Sequence, residues 1–251
     1  MWSLFLAACT GSGVPASVSE PAVVSHAVRP VPPPPRRSME VVSLSTTDGV
    51  TLQADMWPGD AGAPAVLLLH MTPKGGYHRK DWPSDLTSKL HARRWWVLAL
   101  DRRGAGASGG KADDAFLGPG GRLDVDSAMR WLEGQGVDRV AIVGASNGTT
   151  SMIDYAAAPT PGLPAVVGLG YLSGGTYTEN QTALASVPLL PSFFAYPESE
   201  AEWSEKALAT MPEASLVARR AFPGTDHGTK LFGTQPELVG ALEGWLARVL
   251  D

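Results

Sequence analysis

The chain has little cysteine, no excess of positive charge and no long apolar runs. Its 251 residues include one cysteine, Cys9, so no disulfide can form within the chain, and no Cys/His cluster has metal-site spacing. Lys and Arg number 20 against 25 Asp and Glu, and the net charge of −5 indicates no basic face for nucleic acid. No apolar run approaches the roughly 20 residues that span a bilayer. We therefore expect no metal, no cofactor and no nucleic-acid partner.

The first residues nevertheless resemble a bacterial lipoprotein signal. Leu6-Ala7-Ala8-Cys9 is similar to a lipobox, in which cleavage precedes a cysteine that receives lipids. This resemblance implies a signal segment over residues 1–8, a lipid anchor on Cys9 and a location in the cell envelope at a membrane surface. Since no Lys or Arg precedes Cys9, the alternative is an unstructured start on a cytoplasmic protein.

Two further regions follow. Residues 9–37 are rich in Ser, Ala, Val and Pro and end in RPVPPPPRR, a composition that cannot form a core and favours an extended tether. From residue 38 to 251 the pattern indicates one folded domain. An antiparallel hairpin turns at Asp48-Gly49. Short apolar runs then alternate with helical stretches, which predicts a mostly parallel sheet of about eight strands with helices on both faces.

One stretch, LALDRRGAGASGGK (98–111), matches the dinucleotide pattern G-x-G-x-x-G. A dinucleotide site needs its first glycine in the tight turn leaving the strand and a helix beginning inside the motif. Here Asp101 to Arg103 separate the strand from the glycines, and a Gly-rich loop follows. A phosphate loop also fails, because residue 105 is Ala where its leading Gly should be, and residue 112 is Ala instead of Ser or Thr.

The motif that carries chemistry is Gly144-Ala145-Ser146-Asn147-Gly148, a G-x-S-x-G sequence between a predicted strand and a predicted helix. In a nucleophile elbow the serine occupies a sharp, strained turn at the strand end. Of the five histidines only His227 follows Ser146, in a loop after the last predicted strand. The order nucleophile, then histidine, is that of hydrolases with this elbow.

Four motifs together resemble the α/β-hydrolase superfamily, especially small capless members of the dienelactone-hydrolase type: LLLH (67–70), LDRRGAGASGG (100–110), VGASNG (143–148) and PGTDHG (223–228). The resemblance implies a serine hydrolase of the α/β-hydrolase fold. The resemblance also explains the glycine-rich stretch 98–111. It is expected to form the loop before the elbow strand, with Asp101 and Arg103 bracing that loop. Too few residues separate the sixth and seventh predicted strands for a lid domain.

The acid of the implied triad is the irregular member. In the family it follows the seventh strand, often in a G-x-x-D turn, but this chain reads AYPESEAE (195–202). In one register of the family's turn on this sequence the acid is Glu198, and in the other register it is Glu200. We prefer Glu198 because it lies closer to the strand end. Glu179, after the sixth strand, is a third candidate.

The oxyanion hole needs two backbone N–H groups. The resemblance assigns them to Asn147 and Met71, and it makes His70 structural. The expected reaction is cleavage of carboxylic esters, or related acyl bonds, of small molecules through an acyl-enzyme on Ser146. The loop 71–82, with Tyr77, His78 and Trp82, is the expected pocket wall. The alternative is a non-catalytic, membrane-tethered lipoprotein that uses the fold as a binding module.

Overall fold

The computed structural model describes residues 38–115, 119–174, 184–211 and 217–251. Cys9, the predicted signal segment and the predicted tether lie outside the described residues, and so does Glu179. These four sequence interpretations stay predictions. Within the described residues, no helix combines the length and the apolar character needed to cross a bilayer.

The described strands follow the apolar runs closely. In chain order they are β1 (Glu40–Ser45), β2 (Thr51–Trp57), β3 (Ala65–Leu69), β4 (Trp96–Asp101), β5 (Arg139–Ala145), β6 (Ala165–Leu172), β7 (Ser192–Pro197) and β8 (Val217–Phe222). They form a sheet in the order β1-β2-β4-β3-β5-β6-β7-β8. The pairs β1–β2 and β2–β4 are antiparallel, and the other pairs are parallel. The predicted sheet is confirmed.

The described α-helices are α1 (Ser84–Ala92), α2 (Gly120–Gly134), α3 (Gly148–Ala157), α4 (Ala201–Leu208), α5 (Leu231–Thr234) and α6 (Glu237–Leu250). Alternate residues of β3 show how they cover the sheet, because successive side chains of a strand point to opposite faces. Leu67 packs in a core cluster with residues of α2 and α3, whereas Leu68 packs in a second cluster with residues of α1 and α6. Helices therefore lie on both faces, as predicted.

Two sequence patterns form local structure different from what they predict. The apolar run 188–194 predicts a strand there, but β7 begins only at Ser192, because Pro188 and Pro191 have no N–H to give a sheet ladder. Thr234-x-x-Glu237 predicts a capping box for the last helix. Thr234 instead ends α5, and α6 starts after Pro236 without a side-chain cap, since the proline already fixes a helical φ of −61°.

Parallel strands direct their carboxyl ends to one edge of the sheet. Ser146 follows β5, His70 and Met71 follow β3, and His227 lies beyond β8. This edge also carries the start of α3, whose N-terminal N–H groups favour negative charge nearby. The connection from β6 to β7, residues 173–191, is too short for a lid domain.

Candidate active site

The elbow serine has the strained backbone that its motif predicts. Ser146 is nearly buried and has a φ of 50°, in the left-handed region that non-glycine residues adopt at a cost of about 1–3 kcal/mol. The two glycines of the motif are required by close approach. A methyl group at Gly144 would lie 2.7 Å from Thr149 N, and one at Gly148 would lie 2.6 Å from His70 O. The G-x-S-x-G spacing thus allows α3 to fold back onto β5 and β3.

The residue that follows His227 lies close to this serine. Gly228 has a φ of 60°, and a methyl group there would contact Met71 Sδ and lie 3.6 Å from Ser146 Cβ. The structure therefore brings Gly228, the residue after His227, to Met71 and Ser146, although the three come from loops far apart in sequence.

The carboxylate that faces His227 is Glu200. Its Oε1 lies 2.5 Å from His227 Nδ1, and its side chain is buried. The preferred candidate, Glu198, is exposed. β7 runs to Pro197, and Glu198–Glu200 then forms a 3₁₀ turn, in which residues three apart share a face. Glu200 therefore lies on the side of buried Pro197, and the structure favours the second register over the first.

The residues next to the expected oxyanion donors are held by a buried network. His70 is fully buried; its Nδ1 lies 2.7 Å from Met71 O, and its Nε2 accepts the Arg102 N–H at 3.0 Å. The two contacts define a neutral ring that donates through Nδ1, which agrees with the structural role expected for His70. Burial, followed by the nearby Arg102 cation, holds the pKa of His70 well below its ordinary value of 6.5.

This pKa shift predicts a pH dependence of stability. His70 stays neutral in the folded chain but takes up a proton in the unfolded chain below about pH 6.5, so acid favours unfolding. We expect the free energy of unfolding to fall between pH 6.5 and 5, by up to about 1.4 kcal/mol per pH unit from this group. Urea titrations across this range would measure it.

A histidine variant tests whether His70 causes this dependence of the free energy of unfolding on pH. His70→Asn should be less stable at pH 7.5 but should lose this part of the pH dependence. His91→Asn serves as the control, because His91 lies at the surface end of α1, where its Nε2 meets Pro58 O. Equal slopes in wild type and His70→Asn would show that His70 is not the responsible group.

The glycine loop before α2 is braced as expected. Arg103 pairs with buried Asp124 at 2.8 Å and with Asp48 at 2.8 Å. Asp101 pairs with Arg79 and accepts the Arg79 N–H at 2.6 Å. Arg103 thus braces the glycine loop as predicted, whereas the Asp101 carboxylate holds Arg79 of the loop 71–82, so the bracing role of Asp101 stays a prediction.

The expected pocket wall, loop 71–82, is anchored more than its sequence indicates. Trp82 is buried, with its ring 6.1 Å from that of Phe232. His78 caps a 3₁₀ turn, accepting the Lys80 N–H at 3.2 Å. Tyr77 lies partly exposed under the Lys230 ammonium, 5.7 Å from its ring centroid. Tyr77 also packs against the core cluster of α1 and α6, so each of the three rings has a packing or capping role.

Sequence reasoning missed Arg102. The D-R-R-G sequence suggested a role for its second arginine, Arg103, whereas its first arginine, Arg102, is fully buried. An arginine placed directly at the end of a buried strand was the available signal. Thr149 was missed as well, although its N–H and Oγ1 hold the Ser146 carbonyl at 2.9 and 2.7 Å.

Solved structures with the same fold include enzymes that cleave esters. The esterase Pf2001 of Pyrococcus furiosus is 18% identical and has a TM-score of 0.65, over 85% of this chain and 91% of that one. The esterase RhEst1 of Rhodococcus sp. ECU1013 is 16% identical, with a TM-score of 0.64 over 84% of this chain and 100% of that one. An alpha/beta hydrolase of Novosphingobium aromaticivorans DSM 12444 is 16% identical, with a TM-score of 0.66 over 84% and 99%.

These likenesses, the sheet order and the strained serine define the fold of the protein: it is the α/β-hydrolase fold. Residues 48–186, more than half of the chain, match the model of the X-Pro dipeptidyl-peptidase (S15) family. The chain belongs to that family. The expected superfamily is thus confirmed, while the narrower likeness to dienelactone-hydrolase-type members stays a prediction.

Proposed function

We propose that the protein cleaves carboxylic esters of small molecules through a triad of Ser146, His227 and Glu200. The observation that carries the proposal is the 2.5 Å contact between His227 Nδ1 and buried Glu200 Oε1. A carboxylate at Nδ1 fixes the imidazole tautomer and leaves Nε2 as the base. The proximity of Gly228 to Ser146 supports the same arrangement.

The reaction then follows from these roles. The Ser146 oxygen attacks the acyl carbon while His227 Nε2 takes its proton. The tetrahedral oxyanion is stabilised by the N–H groups of Met71 and Asn147. Its collapse breaks the ester bond, and the alcohol leaves with the proton from His227. Water, activated by His227, attacks the acyl-enzyme, releases the acid and restores Ser146.

A peptide substrate is the second candidate, and the family match favours it. The matching family is named for X-Pro dipeptidyl-peptidases, whereas two of the structures with the same fold are esterases. The same triad chemistry serves both bonds. Comparing kcat/KM for p-nitrophenyl acetate with that for an Ala-Pro p-nitroanilide separates them, and we expect the ester to be preferred.

A fluorophosphonate probe tests the proposal directly, because it reacts with an activated serine regardless of the natural substrate. We expect wild type to be labelled, and Ser146→Ala and His227→Ala to remain unlabelled while folded. Ser173→Ala is the matched control: Ser173 also has a left-handed φ, 51°, and is buried, but it follows β6. Folded wild type that is not labelled would overturn the proposal and favour the non-catalytic binding module.

We also propose that Cys9 carries a lipid that holds the domain at a membrane surface of the cell envelope. The support is the Leu6-Ala7-Ala8-Cys9 sequence followed by the Pro-rich residues 9–37. Globomycin sensitivity of processing and acyl labelling of wild type against Cys9→Ala would test it. A cytoplasmic, unprocessed chain is the opposing outcome.

A further inference from the structure

Arg102 is a buried cation whose partners are all neutral. Its side chain is fully buried, and each hydrogen bond that it makes within the described residues goes to a carbonyl, a hydroxyl or an amide oxygen. The partners are His70 O at 3.0 Å, Met71 O at 2.8 Å, Asn147 O at 3.3 Å, Asn147 Oδ1 at 2.9 Å and Ser151 Oγ at 3.1 Å. Burying a cation that no carboxylate hydrogen-bonds is costly, so this position calls for a functional reason.

The first group of contacts fixes the peptide before Met71. Arg102 Nη2 donates to His70 O, and in a trans peptide the N–H points opposite to the carbonyl. The Met71 N–H is therefore directed away from the guanidinium. A flipped peptide would point this N–H at a cation and leave two donors facing each other. The same Nη2 also holds Met71 O, so the carbonyls on both sides of this N–H are restrained.

The second group of contacts fixes Asn147. Arg102 donates to its carbonyl through Nη1 and to its side-chain oxygen through Nη2. The peptide that carries the Asn147 N–H is held separately, since Thr149 donates to Ser146 O through its N–H and Oγ1. One guanidinium thus joins the loop after β3 to the elbow after β5, and a planar fork with five N–H donors suits this better than an ammonium.

We infer that Arg102 is a positioning residue for the oxyanion hole: it sets the spacing of Met71 and Asn147 and keeps the peptide between His70 and Met71 from flipping. The inference rests on the proposed function, which assigns the oxyanion to these two N–H groups. Arg102 does not touch the substrate and acts through the two donors.

The charge of Arg102 adds to this role. Burial lowers its pKa to about 10, partly opposed by Asp124, so the side chain is still a cation at neutral pH. A cation in a water-excluded site stabilises a nearby developing negative charge more than it would in water. Its hydrogen bond to His70 O also polarises the peptide that bears the Met71 N–H.

The test compares Arg102→Met and Arg102→Lys with Arg103→Lys, whose arginine pairs with carboxylates in the bracing of the glycine loop. For p-nitrophenyl acetate we expect Arg102→Met to lower kcat by about 10²- to 10³-fold, the effect of losing one oxyanion donor, with KM within about threefold. Arg102→Lys should lose about tenfold or more, because an ammonium cannot span both donors. Arg103→Lys keeps a cation beside Asp48 and Asp124 and should stay within about threefold of wild type in kcat, because no hydrogen bond of the Arg103 side chain goes to Met71 or Asn147 within the described residues.

Two readouts separate positioning from a merely structural role. A trifluoromethyl ketone, which forms a tetrahedral oxyanion on the serine, should bind more weakly by the same factor as the fall in kcat. The pH profile of kcat/KM should keep its midpoint, since the pair His227–Glu200 is unchanged. If Arg102→Met does not fold, Arg102→Lys carries the test, because it keeps the charge and most of the side-chain length.

The inference is overturned if folded Arg102→Lys retains wild-type kcat and inhibitor binding, or if its KM changes as much as its kcat. These outcomes require a wild type that hydrolyses the ester and reacts with the fluorophosphonate. A wild type that does neither is a failure of the proposed function instead, so the two failures are distinguishable.

Discussion

Ser146→Ala is expected to lower kcat for a short p-nitrophenyl ester by about 10⁴- to 10⁶-fold. The variant lacks the oxygen that forms the acyl-enzyme, while the oxyanion donors and the binding surface remain. Burst kinetics with the same ester would show the loss of the acyl-enzyme step, and KM should change little.

The replacement is expected to be well tolerated by the fold. Alanine adopts the left-handed φ of 50° no more readily than serine, so the strain is unchanged, and thermal melting should move only slightly. Ser173→Ala, the same change at a buried serine with a φ of 51°, should keep its acyl-enzyme burst. Full ester turnover by purified Ser146→Ala would disprove the role of this serine.

Glu200→Gln is expected to lower kcat by about 10³- to 10⁴-fold, as the loss of the carboxylate does in other serine triads. The amide keeps the shape of the side chain but can donate to His227 Nδ1, which favours the wrong tautomer and leaves the imidazolium without an opposite charge. The side chain is buried and 2.5 Å from the ring, so solvent cannot replace it.

Glu198→Gln provides the matched control, because the same change is made two residues earlier in the same 3₁₀ turn, at an exposed side chain. It should keep kcat within about threefold of wild type, as surface changes usually do. Steady-state kinetics of both variants, with circular dichroism to show that they fold, decide between the two registers. A loss in Glu198→Gln with normal activity in Glu200→Gln would restore the assignment that the sequence favours.

The positions of Ser146 and His227 followed from sequence because local sterics and chain order constrain them. An elbow needs glycine where neighbouring backbone comes too close for a side chain, as at Gly144 and Gly148. This requirement can be recognised directly in the sequence. The parallel strands could be predicted equally well, because a strand that is covered on both faces has a continuous apolar sequence.

The candidate acid could not be predicted from the sequence to the same degree. Its position depends on where β7 ends and on how the chain turns afterwards, and apolar pattern fixes strand ends only to within a few residues. Prolines at 188 and 191 delay the strand, and the 3₁₀ turn after Pro197 directs the third residue inward. A shift of two positions along the chain therefore decides which of the two glutamates contacts His227.

By itself, then, the sequence determined the sheet and the superfamily and pointed to Ser146 and His227 as candidate site residues, because each depends on short-range pattern or on order along the chain. Only the tertiary structure decided that Glu200 faces His227 and that Arg102 lies between Met71 and Asn147. Those contacts join segments that are distant along the chain. Their partners are set by how strands and loops pack in space, and no local pattern of residue types carries that information.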